Sequence, residues 1–327
     1  MRHLSKEKIR LAKLSSPARK WTRYPKKAFY GFVGPWVVGF VLLTAAPMVY
    51  GLLVSFTNFD GSSPKWKWVG FKNYLELFND GDAWTALLRT LAFTAIVVPL
   101  SVGGSLFLAS LINRRLRAVG LWRTIFFLPS VVPVVAMAIM WKLVFNRDSG
   151  ILNAALGVVG IPPITWLGDS TALYALSILM LWGVGGGMII MLAALQGVPV
   201  ELEEAAKVDG AKPWTIFRHV TLPMISPVVF FAVITGVIGS LQILVQPLLL
   251  TNASGISGAG AVPESNRLYM VQVYQEFFLS NRFGYGSAML WVFFLIVLAL
   301  TMVLLRSSRS FVYYEVDADA ENEGAKR

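Results

Sequence analysis

Ser226–Leu250 reads SPVVFFAVITGVIGSLQILVQPLLL, and no residue in it carries a charge. At 1.5 Å of rise per residue, about 20 such residues cross a hydrocarbon layer about 30 Å thick. Backbone inside that layer must satisfy its own hydrogen bonds, which makes a helix the expected form. Five further segments meet the same test: Phe29–Phe56, Thr90–Ile112, Thr124–Phe145, Ala172–Leu195 and Ser287–Leu305. Only the third holds a charge, Lys142, close enough to its end for the side chain to reach the interface. The pattern predicts an all-α, polytopic membrane protein with about six transmembrane helices. The first segment is far longer than the 7–15 apolar residues of a signal peptide and is interrupted by Pro35 and Pro47, so it is read as a retained span.

Composition agrees. Of 327 residues, 56% are hydrophobic and 14% charged, against roughly 25% charged in a soluble domain. The absence of cysteine excludes disulfides and thiolate metal sites, and His3 and His219 are too few and too far apart for a metal centre. A net charge of +11 would suit nucleic acid, but ten basic residues fall within the first 27 positions, and Arg114, Arg115, Arg117 and Arg123 share one short loop. Basic residues at the ends of apolar segments set membrane orientation. Placing the N-terminus inside puts 21 of the 29 Lys and Arg residues inside, which predicts an N-in, C-in topology.

The expected domains are a basic cytosolic segment (1–28), a transmembrane domain (29–305) and a cytosolic tail (306–327), acidic from 315 onward. Three long outside connections, near 57–89, 146–171 and 251–286, are rich in aromatics such as Trp66, Trp68, Trp84, Trp166 and Tyr274. They read either as an interfacial aromatic belt or as a docking surface for an external partner.

The inside loop 196–223 breaks the charge bias with Glu201, Glu203, Glu204 and Asp209. It reads as two short helices joined at a right angle. Pro199 precedes acids in a first turn, where the helix dipole favours them. Gly210 can take the left-handed conformation that ends a helix. Pro213 suits the start of a second helix, with Trp214 and Phe217 on one side. Asp209 reads either as a cap for that second helix or as a contact residue, and Pro223 is expected to stop the helix before the fifth span.

This stretch resembles the EAA loop of binding-protein-dependent ABC permeases. Glu204-Ala205-Ala206-Lys207-Val208-Asp209-Gly210-Ala211 is followed by Phe217, Val220, Leu222 and Pro223 without a gap. Trp68-Val69-Gly70-Phe71-Lys72-Asn73-Tyr74, Gly150-Ile151-Leu152-Asn153 leading to Trp166-Leu167, and Gly284-Tyr285-Gly286-Ser287-Ala288 resemble its carbohydrate-uptake branch, most closely the first permease of the maltose and glycerol-3-phosphate type. The resemblance implies a coupling helix seated in a separate ATP-hydrolysing subunit. It also implies a second permease, two ATP-binding subunits and an external solute-binding protein. ATP and Mg would belong to the ATPase subunits, since this chain has no phosphate-binding GxxxxGK[ST] loop and no cofactor is expected in it. Coupling would fall to Glu204, Ala205, Ala206, Asp209, Gly210, Ala211 and Phe217, with Glu204 anchoring the loop through a charged hydrogen bond and Gly210 setting the turn.

Solute contacts are expected where polar or missing side chains interrupt apolar spans. In the fifth span these are Gly236, Ser240, Gln242 and Gln246, the glutamines sharing one face at a spacing of four. The pair reads equally as a hydrogen bond between helices. In the fourth span, Trp182 could stack on a sugar ring, and Gly183 and Gly186 leave room for one. Gly183 and Gly187 also form a small-xxx-small pair suited to close helix packing. Two departures from the family pattern loosen any transfer of solute identity: Leu244-Val245 stand where an aromatic and Asp are usual, and a Gly/Ala run, 258–263, replaces a Gly-Gly-Pro turn. A sugar or oligosaccharide is the expected cargo, with glycerol-phosphate or another polyol as the alternative. A secondary transporter would need ionisable groups in its spans, and these have almost none; an intramembrane enzyme would need a catalytic set at membrane depth, and no His, Asp or Cys set supports one. Pro99, Pro129 and Pro133 are positioned to kink their helices.

Overall fold

The computed structural model describes residues 26–64, 66–114, 117–251 and 261–311. The basic segment through residue 25, the start of the Gly/Ala run and the acidic tail lie outside the described residues. The chain divides into two units, one ending at Leu53 and the other beginning at Val54.

The first unit is an apolar helix built from α1 (Lys26–Phe40), a π turn (Val41–Ala45) and the start of α2 (Ala46–Ser55). The π turn ends two residues before Pro47. A proline has no N–H to donate, and its ring clashes with the carbonyl four residues back; widening the turn relieves both.

The second unit contains short α3 (Lys72–Asn79), then α4 (Gly81–Ile112). Next come α5 (Val119–Val131), α6 (Val134–Val144) and α7 (Ile151–Val158). They are followed by α8 (Ala172–Trp182), α9 (Gly185–Gln196), α10 (Val200–Val208) and α11 (Pro213–Ile216). A second π turn (Phe217–Thr221) leads into α12 (Leu222–Leu241). The unit closes with α13 (Val245–Leu249), α14 (Tyr269–Phe278) and α15 (Phe283–Phe311). Among the described residues four helices are long and apolar enough to cross a membrane, or six when each of two bent pairs counts as one span.

Several predicted boundaries change. The second span starts at Gly81, nine residues early, because Asp80 caps it: its side chain accepts from the backbone N–H groups of Asp82 and Ala83. The third is not one straight helix, since α5 and α6 meet at 99°. Val132 and Pro133 are extended there (ψ 127° and 137°), as the steric demand of a proline ring on the preceding residue requires. Pro99 and Pro129 sit inside unbroken helices. The fourth span bends by 44° between α8 and α9, at Gly183 and Val184.

The fifth span differs at both ends. Pro223 does not stop the preceding helix; Pro213–Leu241 is continuous. The π turn before Pro223 repeats the device seen before Pro47. At the other end the helix stops at Gln242 (φ −96°, ψ 13°) and restarts after Leu244, so Gln242 and Gln246 do not share one helical face.

Three apolar clusters hold the second unit together, and α4 enters each of them. Ala83 and Leu87 join Tyr269, Tyr285 and Met289. Phe93 and Val97 join Leu176, Leu179 and Leu268. Ala109 and Ile112 join Met188, Leu192 and Ile225. α4 is thus the common axis of the unit.

Candidate transport cavity and coupling elbow

The elbow forms as its residues dictate. Pro199 precedes α10, and Glu201 and Glu203 occupy the first turn. Gly210 has φ +79°. The Ala211 N–H donates to the Ala206 carbonyl and the Gly210 N–H to that of Lys207, both at 3.0 Å, the paired closure that a left-handed glycine permits at a helix end. Asp209 does not cap the second helix: it ends the first, and α11 begins after Lys212 with no side-chain cap. Trp214 and Phe217 stack at 5.6 Å between ring centres.

Within the elbow itself the side-chain hydrogen bond between its two halves falls to Glu203. Thr221 Oγ1 donates to the Glu203 carboxylate at 3.1 Å, tying α10 to the π turn, while Glu204 points outward, exposed and without a hydrogen bond among the described residues. Ala205, Asp209 and Gly210 are exposed as well, and Ala206, Ala211 and Phe217 are half-buried.

Between α4, α8–α9 and α12 lies a cavity of about 370 Å³ whose lining includes Ser101, Ser105, Gly183, Gly187, Phe231 and Thr235. The lining contains no ionisable side chain. Of the predicted solute contacts, Gly183, Gly236 and Ser240 face this space; Trp182, Gly186, Gln242 and Gln246 are not on its wall. Trp182 meets Trp141 edge to face at 5.8 Å. A Cβ on Gly186 would lie 3.2 Å from Ser130, and one on Gly185 would lie 1.7 Å from the Phe126 carbonyl oxygen, so these two glycines serve the packing of α9 on α5. A Cβ on Gly187 would come within 2.6 Å of Ser105 Oγ, bringing α9 onto α4 as the small-residue pattern suggested.

Ser240 is buried, its hydroxyl 3.0 Å from Thr94 Oγ1 and 3.1 Å from the Val237 carbonyl. More accessible are two residues the sequence reading did not select. Phe231 is 59% exposed, and Thr235, also exposed, donates back to the Phe231 carbonyl at 2.9 Å, which leaves the Thr235 oxygen free to accept. With Gly239 they form an i, i+4, i+8 row on one face of α12. That spacing was legible in the sequence, but nothing in it marked that face as the one toward a cavity.

Among the described residues, the connections 57–89, 146–171 and 261–286 are held by specific side-chain contacts. Asn153 binds four partners: its Nδ2 donates to the carbonyls of Arg147 and Ile164, and its Oδ1 accepts from Ile164 N–H and Trp166 Nε1. Asn73 Nδ2 donates to the carbonyls of Ser55 and Thr57, both at 2.8 Å. Gly284 passes so close to Thr57 that a Cβ would lie 2.0 Å from its carbonyl oxygen. Arg282 pairs with Glu76 and Glu276 and lies 4.2 Å over the Tyr285 ring, while the Tyr285 hydroxyl donates to Asp80. Burial raises the Glu276 carboxyl above its usual range, against the pull of Arg282. Burial likewise pushes the Tyr269 phenol upward, and its hydroxyl donates to the Met289 carbonyl at 3.0 Å. Backbone N–H groups of Ser63 and Ser62 lower Asp60.

Apolar spans, an uncharged cavity among them, and an exposed elbow continuous with a cavity-wall helix define a membrane transport subunit. The chain belongs to the family described as binding-protein-dependent transport system inner membrane component, which matches residues 101–313. It is therefore an inner-membrane permease subunit of an ABC importer. A probable ABC transporter permease protein, YesP, of Bacillus subtilis (strain 168) is 36% identical, covering 88% of this chain and 92% of its own. The lactose transport system permease protein LacF of Rhizobium radiobacter is 33% identical, covering 85% and 93%. The crystal structure of a bacterial ABC transporter that imports the acidic polysaccharide alginate shares the fold, with a TM-score of 0.75 at 21% identity over 86% of this chain and 95% of that one.

Proposed function

We propose that this chain forms one half of the pore for a sugar or oligosaccharide, driven through its elbow by ATP hydrolysed in a separate subunit. The observation that carries this reading is the continuous helix Pro213–Leu241, 29 residues long, or about 43 Å. One end is the elbow and the other presents Phe231, Thr235, Gly236, Gly239 and Ser240 to the cavity. A displacement of the elbow by an engaged ATPase reaches the cavity wall without crossing a flexible joint. Glu204, Ala205, Asp209 and Gly210 supply the exposed surface for that engagement, with the N-terminus on the same, cytosolic side. A second permease completes the pore, a second ATPase engages it, and an external binding protein delivers the solute.

Sugar is favoured by the lactose permease among the relatives and by the cavity itself. An aromatic face at Phe231 suits the C–H face of a pyranose, hydroxyls at Thr235 and Ser101 suit its polar rim, and the glycines leave room. A phosphate-bearing polyol finds no counter-charge on this wall. The test is sugar uptake by vesicles holding the complete importer, with and without Gly210→Pro combined with Glu204→Lys. Uptake is expected to fall to background while membrane insertion persists. Undiminished uptake, or accumulation by this chain reconstituted without any ATPase, would overturn the reading.

A further inference from the structure

A groove of about 410 Å³ runs between the end of α4 and the elbow, outside the transport cavity. One wall is the end of α4, with Gly103, Phe107 and Ser110 at i, i+4 and i+7, followed by Arg114, two residues past the helix end at Ile112. This wall is graded in polarity, from bare backbone at Gly103 through an aromatic and a hydroxyl to a guanidinium. A Cβ on Gly103 would meet nothing within 4 Å. The other wall is Pro213, Trp214 and Phe217 of the elbow.

The basic side chains at the rim have no ion pair among the described residues. The ion pairs among the described residues, Arg89–Glu264, Arg282–Glu76 and Arg282–Glu276, all belong to the connections 57–89 and 261–286. Arg114 is exposed and has none. An adjoining space of about 560 Å³ shares Ser110, Arg114, Pro213 and Phe217 and adds Lys207, together with Glu203, whose carboxylate already accepts from Thr221. A tryptophan beside a basic rim, with an apolar slot leading away into the span, matches the order of headgroup, interface and acyl chain in a lipid leaflet.

We propose that this groove binds one anionic phospholipid, its phosphate on Arg114, its glycerol region against Ser110 and Trp214, and an acyl chain along Phe107 toward Gly103. The lipid would brace the elbow against α4 and make coupling depend on membrane composition.

The test uses the purified complete importer, exposed to phosphatidylglycerol or phosphatidylcholine and examined by native mass spectrometry. Phosphatidylglycerol retention is expected to weaken about fivefold in Arg114→Gln, as one basic contact at a membrane surface predicts, and to be unchanged in Arg117→Gln, outside the groove. Gly103→Leu, which fills the deep end, should also weaken it. A second readout does not depend on those variants folding well: the chain has no cysteine, so Phe107→Cys can carry a photoreactive maleimide in membranes. A lipid adduct supports the proposal. An adduct to the second permease subunit, or equal retention by wild type and Arg114→Gln, overturns it.

Discussion

The two faces of the molecule are held in opposite ways. The layer of connections 57–89, 146–171 and 261–286 is tied to itself: Asn153 alone makes four hydrogen bonds, Asn73 and Gly284 lock the segment after the first helix to α3 and α15, and Arg282 spans two acids and a ring. Among the described residues one side-chain hydrogen bond joins the two halves of the elbow, Thr221 to Glu203, and Glu204 and the glycine turn are left exposed. Polar groups satisfied internally make a rigid frame. Polar groups left outward on a short helix suit a surface that a partner covers. The difference separates a self-braced frame from the exposed surface on which the proposed ATPase would act.

Substitutions can break that comparison. Asn153→Ala should have the largest effect on stability. It strands the Ile164 N–H, the Trp166 indole N–H and two carbonyls, and a loss of about 2–3 kcal/mol is expected, measured by detergent-titration unfolding in mixed micelles. Thr221→Val, of nearly equal volume, removes the elbow's tether at a local cost of about 1 kcal/mol. Global unfolding should stay within that margin while sugar-stimulated ATP hydrolysis by the complete importer falls several-fold. If Thr221→Val instead unfolded the bundle as strongly as Asn153→Ala, the two faces would not differ as described.

Glu276→Gln is the smallest change and sharpens the picture of that layer of connections. Burial raises the folded carboxyl above its unfolded value near 4.5, outweighing the attraction of Arg282 and reinforced by Asp80 and Glu76. The folded state therefore holds this proton more tightly than the unfolded chain. Its contribution to stability is complete below about pH 4.5 and is lost as pH rises through the folded value. Glutamine, which never ionises, should make the protein slightly more stable than wild type at pH 8, with the gain vanishing toward pH 4. An unchanged gain across that range would show that charge is not its cause.

Much of this was legible from residue order alone. Charge-free stretches long enough to cross a bilayer announced a membrane bundle, because lipid solvates no exposed backbone. Gly210 and Pro213 marked the elbow, since left-handed closure and a missing N–H are properties of single residues at their own positions. Tertiary packing decided the rest. A proline breaks the helix at Pro133 but is absorbed by a π turn before Pro47 and Pro223, a difference that the residue type alone does not announce. Which glycines face the cavity and which meet a backbone, as Gly185 meets Phe126, follows from the rotation of α9 between two neighbours. Ser240 looked free and is spent on Thr94, a residue 146 positions away, while Phe231 and Thr235 gained their aspect from the cavity beside them. Local chemistry travels with the residue, whereas the direction a side chain faces is settled only when distant helices meet.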